Sequence, residues 1–292
     1  MAHQPVASRA AQADRDRRGH TRPAHDDHAH RACLHPEGLV RVAPDIRRVA
    51  VITGGSTGIG EAIARRLAAR DWLTVLVARR EELLRPLAEE LGGEYELCDV
   101  ADREAVERMG AAVTERHPAL GMLVNNAGMP GRGDFTKLDA ERIERVTDVN
   151  YLGTVWVTRA FLPALEAGRP SHIVNIVSVA GTVSWGPAGP YAASKHAQLA
   201  FSRGLTAQLA PRGIAVHTIN PGFVESETFP QRGVLKNPLL ERAVIDPPDV
   251  AAAVMRAVDH NRREIYVPRW YRVAAIAQAL VPGLMDRFST RG

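Results

Sequence analysis

The pattern of hydrophobic and polar positions changes near Arg47. Beyond it, short continuous apolar runs alternate with longer stretches in which apolar residues recur every three or four positions. The runs Val49–Thr53, Leu73–Ala78, Tyr95–Cys98, Met122–Val124, His172–Ser178, Ile214–Asn220 and Glu264–Val267 predict seven strands. The stretches 58–70, 80–91, 102–116, 138–166, 190–211 and 247–260 predict helices between them. A crossover long enough to hold a helix implies parallel pairing. Strands that are apolar throughout, without alternation, imply helices on both faces of the sheet. The expectation is one α/β domain over 46–268, a doubly wound, Rossmann-type parallel sheet of seven strands with no fixed-period repeat.

The two ends read differently. Residues 1–45 have no periodicity and hold six of the eleven histidines, with few large apolar residues. Such a segment cannot bury enough surface to offset its ordering entropy, so a disordered His/Arg-rich tail is expected. It lacks the apolar run of a secretory signal, and Asp14, Asp16, Asp26 and Asp27 argue against a mitochondrial presequence. Its histidines are irregularly spaced, and no metal site is expected there. At the other end, residues 269–292 form an extension whose centre, Val273–Val281, is apolar nearly all round before Pro282 and Gly283 break it. A helix of that kind should not face water on every side. Packing on another subunit or on the substrate pocket ranks first, and peripheral membrane contact through 269–287 second.

Composition and charge narrow the classes. With 45% hydrophobic and 24% charged residues the chain can build a sizeable core. No run reaches the length of a spanning helix. The two cysteines, Cys33 and Cys98, make neither a disulfide framework nor a thiolate zinc site, which fits a cytoplasmic setting. The net charge of +4 hints at nucleic acid, but residues 1–48 carry nine arginines against six acids, which leaves the body close to neutral. Nucleic acid is therefore not an expected partner.

The first strand runs directly into Thr53-Gly54-Gly55-Ser56-Thr57-Gly58-Ile59-Gly60 and then a helix. Glycines at such a turn let backbone approach a pyrophosphate, and the helix N-terminus adds N–H groups and a positive dipole end. Ribose selection is expected at the tip of the second strand, where an acid would take the 2′-hydroxyl. Here the tip reads Ala78-Arg79-Arg80, with no acid. Two guanidiniums suit a 2′-phosphate, so NADP is favoured over NAD. The competing reading is a helix-start pair neutralised by Glu81 and Glu82.

Tyr191 and Lys195 stand at i and i+4 and share one helix face. An ammonium beside a phenol stabilises the phenolate and brings the phenol toward acid–base use. Ser178 closes the fifth strand, where ligand sites sit in such sheets, and its hydroxyl can hold a carbonyl oxygen while Tyr191 exchanges the proton. An inert Tyr/Lys pair is the bland alternative.

Taken together, Thr53-Gly-x-x-x-Gly-x-Gly60, Asp99, Asn125-Asn126-Ala127-Gly128, Asn150, Ser178, Tyr191-Ala-Ala-Ser-Lys195 and Pro221-Gly222, in this order, resemble the short-chain dehydrogenase/reductase family in its compact form, over 47–268. The resemblance implies catalysis by Ser178, Tyr191, Lys195 and Asn150, with Asn150 linking Lys195 to solvent through water. It implies a cofactor site of Gly54, Ser56, Thr57, Gly58, Ile59, Gly60, Arg79, Arg80, Asp99, Asn125, Ala127, Gly128, Tyr191, Lys195, Pro221, Gly222, Val224 and Ser226. Asp99 would meet the adenine and Asn125 the adenosine end. Where relatives place a threonine after Pro-Gly-x-Val-x, this chain has Ser226, with Thr228 beyond, and either hydroxyl could meet the nicotinamide amide. Cys98 reads as a small buried hydrophobe and His196 as structural. Val183, Trp185, Pro187, Phe223, Val224, Phe229 and Leu235 suggest an apolar pocket for a hydrophobic ketone, aldehyde or secondary alcohol, or ordinary lid packing. The expected protein is an NADP(H)-dependent oxidoreductase, forming a homodimer or homotetramer. An epimerase or dehydratase on the same scaffold, or a non-catalytic nucleotide-binding protein, is the alternative.

Overall fold

Each apolar run expected to be a strand is one. The computed structural model describes residues 48–131, 133, 135–184, 189–226, 231–232 and 241–281. In it β1 (Val49–Thr53), β2 (Leu73–Ala78), β3 (Glu94–Leu97), β4 (Met122–Asn125), β5 (Ser171–Ile176), β6 (Ile214–Pro221) and β7 (Glu264–Val267) form one parallel sheet in the order β3-β2-β1-β4-β5-β6-β7. The helices among the described residues are α1 (Gly58–Ala68), α2 (Glu81–Leu91), α3 (Arg103–Arg116), α4 (Ala140–Thr147), α5 (Gly153–Ala167), α6 (Gly189–Leu209), α7 (Pro247–Asp259) and α8 (Tyr271–Leu280).

Neighbouring strand residues serve opposite faces, and both faces are buried. Val51, Val75, Leu123, Ile173 and Val216 pack beneath α3, α5 and α6 against Val113, Phe161 and Leu205. Ile52, Leu76, Val124, Val174 and Ile219 pack beneath α1, α2 and α7 against Ile63, Leu84 and Val254. Each such side chain contributes about 1.5–3 kcal/mol by leaving water. The chain winds outward from β1 to β3 and then returns to lay β4 on the other side of β1. At that reversal a crevice opens beyond the carboxyl ends of β1 and β4, where ligands bind in sheets of this kind.

Three local expectations change. β3 begins one residue earlier than expected; its edge is polar, with Glu94 and Glu96 paired to Arg116 of α3, so hydrophobicity was a poor guide to its ends. The single helix expected over 138–166 is α4, a π-helical turn Asp148–Leu152, and α5. The Gly153 N–H reaches back to Asp148 O, and that one inserted residue leaves the averaged period almost unchanged. The extension expected to be apolar on all sides yields α8, which buries Tyr271 and Ala275 but exposes Val273, Ile276 and Leu280. Tyr271 lies across the end of β6 only because residue 222 is glycine: a Cβ there would stand 2.0 Å from Tyr271 Cε2. The expected tail, residues 1–45, and the end of the extension beyond Val281, with Pro282, Gly283 and Arg287, lie outside the described residues.

Candidate active site

The turn after β1 is tied to the tip of β4 by side chains. Thr53 Oγ1 accepts the N–H groups of Asn126 and Ala127, each at 3.1 Å, while donating to Val124 O at 3.3 Å. Asn126 Nδ2 returns bonds to Thr53 O (3.1 Å) and Gly54 O (3.0 Å). Gly54 has φ +62° and Gly58 φ +63°, and a Cβ on Gly54 would fall 2.9 Å from Asn126 Nδ2. Left-handed backbone and close approach both require glycine there. Gly54, Ser56, Thr57, Gly58 and Ile59 line a cleft of about 430 Å³. Thr57 does not cap α1 with its side chain, so the first N–H groups of the helix are not taken by it. Gly60 does not line the cleft. A Cβ there would stand 2.2 Å from Gly54 O, so its role is to let α1 pack on the turn.

Charge gathers at one end of the cleft. Arg79, Arg80, Asp99 and Arg145 all line it. Arg80 Nη2 donates to Thr57 Oγ1 at 3.4 Å, and Arg79 Nη1 lies 3.9 Å from Asp99 Oδ2, the oxygen that also takes a short bond from Arg145. Burial alone would raise the Asp99 carboxyl, but the bonds from Arg145 and the Ala101 amide outweigh it and hold the group below its ordinary value. Glu81 bonds Arg85 and Tyr95. Arg145 was not legible in the sequence, since its partner lies 46 positions away. Cys98 is buried, and burial pushes its thiol up to about 11, as expected of a small hydrophobe.

Asn125 is not brought to the cleft. Its side chain is buried and donates to Thr158 Oγ1 at 3.0 Å and Asn175 Oδ1 at 2.9 Å. The neighbouring Asn126, together with Ala127 and Gly128, lines the cleft instead. The strand's alternation sends one asparagine into the core and leaves the next at the rim.

At the other end Ser178, Tyr191 and Lys195 line the same space. Ser178 ends the segment after β5 and caps a 3₁₀ turn, Val179–Gly181, its Oγ accepting the Ala180 N–H at 3.1 Å. Lys195 Nζ lies 5.9 Å from the centre of the Tyr191 ring. Lys195 is buried, and burial lowers it to about 7. Asn150 is fully buried in the π turn and does not line the cleft. Its Oδ1 accepts the Met129 N–H at 2.8 Å and its Nδ2 donates to Ser194 Oγ at 3.0 Å, so it ties the loop after β4 to α6. His196 faces outward, its Nδ1 donating to Ala192 O at 2.9 Å.

Pro221, Gly222, Phe223, Val224 and Ser226 form the opposite wall, joined by Gln231. Val183 is not among the lining residues, while Trp185, Pro187, Thr228, Phe229 and Leu235 lie outside the described residues. Among the described residues there is no cluster suited to a metal ion and no helix long and apolar enough to cross a membrane.

Comparison with known proteins agrees with the fold. The family model for short chain dehydrogenases matches residues 48–233. A Streptomyces coelicolor protein provisionally named a ketoacyl reductase is 41% identical over 186 residues, 61% of this chain and 71% of that protein. Among solved structures, a variant of the actinorhodin polyketide ketoreductase with NADPH is similar at TM-score 0.65 and 34% identity, over 72% of this chain and 89% of the other. A short chain dehydrogenase/reductase from Burkholderia phymatum in complex with NAD is similar at TM-score 0.71 and 26% identity, over 82% of this chain and 95% of the other.

Proposed function

The chain belongs to the short-chain dehydrogenase family, oxidoreductases that interconvert CH–OH and C=O groups with NAD(P), and from that premise we propose that it is an NADP(H)-dependent reductase of apolar ketones or aldehydes. The observation that carries the reading is the convergence of Ser178, Tyr191 and Lys195 on the cleft that also holds the glycine turn.

The residues fit a dinucleotide. Gly54 leaves room that a side chain would fill, the uncapped start of α1 suits a pyrophosphate, and Arg79 and Arg80 suit a 2′-phosphate. Asp99 with Arg145 would border the adenine, and Ala127 and Gly128 the ribose side. The bound nicotinamide supplies or receives the hydride. Tyr191 gives its phenolic proton to the carbonyl oxygen during reduction and takes it back during oxidation. Ser178 Oγ, which accepts from Ala180, directs its own O–H to that oxygen. The Lys195 ammonium lowers the cost of ionising Tyr191 and borders the nicotinamide ribose. Asn125, Asn150 and Gly60 act as framework.

The preference for NADP rests on the two arginines and on the absence of an acid at the tip of β2; the similar structures hold NADPH in one case and NAD in the other. Met129, Val149, Val177 and Phe223 give the cleft apolar walls, and the similarity to a ketoacyl reductase puts ketoacyl compounds first among candidate substrates. A non-catalytic nucleotide-binding protein would need no Ser, Tyr and Lys together. A panel of ketones, ketoacyl thioesters and secondary alcohols with each nicotinamide cofactor, followed by its absorbance, tests the reading. NADPH consumption with at least one ketone is expected. Cofactor binding without turnover of any compound would favour the non-catalytic alternative.

The outer face of α8 presents Val273, Ile276 and Leu280 at helical spacing, and this supports a homodimer or homotetramer assembled partly through that face. Changing Val273 and Ile276 to glutamate is expected to lower the mass measured by light scattering. An unchanged mass with loss of co-flotation on anionic liposomes would assign the face to a membrane surface instead.

A further inference from the structure

Gln198 lies one turn beyond Lys195 on α6 and is fully buried. A carboxamide without partners would be costly at that depth, and a leucine would fill the space without that cost. Both of its ends are engaged. Oε1 accepts from Lys195 Nζ at 2.8 Å, and Nε2 donates to Thr154 Oγ1 at 3.0 Å. The Thr154 hydroxyl donates in turn to Asn150 O at 3.2 Å, the backbone of the π turn. This chain has a direction. A carbonyl can only accept, so the threonine proton is committed to Asn150, the threonine oxygen must accept from the amide nitrogen, and the amide oxygen is left facing Lys195. The reverse amide orientation would set N–H groups against an ammonium.

The second partner of Lys195 is Ile176 O, at 3.1 Å, and it too only accepts. Two neutral oxygens thus take two N–H groups of the ammonium, leaving the third for the cleft that Lys195 lines beside Gly128. Burial lowers Lys195 against the pull of these two bonds, and among the described residues Tyr191, on its own helix, is the titratable group beside it.

We propose that Gln198 is a positioning residue for Lys195: held in one orientation by Thr154, its carboxamide oxygen anchors the ammonium, favours the charged form and directs the remaining N–H toward Tyr191 and the cofactor ribose. The inference rests on the acid–base roles given above to Tyr191 and Lys195. Without the oxygen, the amine loses a partner that stabilises only its charged state, and the phenolate of Tyr191 loses the charge that favours it.

The test compares Gln198→Met, similar in size but without a strong acceptor, with Thr154→Val and Thr154→Ser. Two readouts are taken against pH: kcat/KM for alcohol oxidation, and the ultraviolet difference absorbance of the Tyr191 phenolate in the unliganded protein, assigned with Tyr191→Phe. Gln198→Met is expected to move both midpoints up by about one pH unit, a loss of roughly tenfold below the midpoint that closes at high pH. Thr154→Val should move them less in the same direction, and Thr154→Ser, which keeps the hydroxyl, should restore the wild-type midpoint. A uniform loss at every pH, or unmoved midpoints, would overturn the role of Gln198. If Gln198→Met fails to fold, as its melting transition would show, the Thr154 pair decides the matter by the same criteria. Should Tyr191→Phe keep its turnover, the acid–base reading falls and this inference with it. With Tyr191→Phe inactive and the midpoints unmoved, only the role of Gln198 falls.

Discussion

Tyr191→Phe is expected to lower kcat by about three orders of magnitude while leaving cofactor affinity within roughly a factor of two. The substitution deletes one oxygen and its proton from a residue at the edge of the cleft and keeps the ring beside Lys195. What is lost is the proton donor for the carbonyl oxygen, which matters only as the bond to hydride forms. The change should therefore appear in kcat and kcat/KM together, the signature of an interaction made in the transition state. Lys195→Ala should differ. It removes the charge that favours the phenolate and the N–H directed at the ribose, so turnover and cofactor affinity should both fall. Steady-state kinetics with the best ketone, alongside calorimetric titration of NADPH, separate the two variants. Retention of most of kcat by Tyr191→Phe would remove Tyr191 from the chemistry.

Replacing Arg79 and Arg80 together by alanine is expected to weaken NADPH by about 2 kcal/mol, roughly thirtyfold, and NADH little. Only the 2′-phosphate distinguishes the two cofactors, and both side chains line the end of the cleft proposed for it. The exposure of Arg79 and the partial exposure of Arg80 argue for a moderate value, because water screens the charges. Asp99 does not complicate the reading: Arg145 still bonds it in the variant, so no unpaired carboxylate is created. Calorimetric titration of both cofactors against both proteins measures the effect. Equal losses for NADPH and NADH, or tighter NADH binding by the wild type, would assign the arginines to the fold and not to cofactor choice.

Much of this site was legible before any contact was known. The glycine turn announces itself because a strand, a cluster of glycines and a helix follow one another in the chain. Tyr191 and Lys195 are related by helical geometry, and Ser178 by its place just beyond the end of a strand. Each is a relation between neighbours. Asn125 and Asn126 mark where that kind of reading stops. The period of a strand states that adjacent residues face opposite ways, but not which of the two faces inward. Asn125 goes into the core because Thr158 of α5 and Asn175 of β5 are there to receive it. Asn150 was expected to connect Lys195 to solvent through water; its Oδ1 and Lys195 Nζ both lie within 4 Å of the place a Gly128 Cβ would take, and the π turn decided that its side chain also holds Met129 and Ser194 directly.

The sequence by itself determined the parallel α/β sheet, the order of its elements and the three residues expected to perform the chemistry, because periodicity and short spacing express which faces are buried and which groups share a turn. Tertiary structure decided the rest. Arg145 meets Asp99 across 46 positions, Gln198 meets Thr154 across 44, and Tyr271 rests on Gly222. None of these pairs has a local signature, since each depends on how helices settle on a sheet whose two faces are filled by dozens of small, additive and non-directional contacts. Those contacts choose the packing, and the packing then sets which distant polar groups come within the few ångströms that hydrogen bonds and charges require.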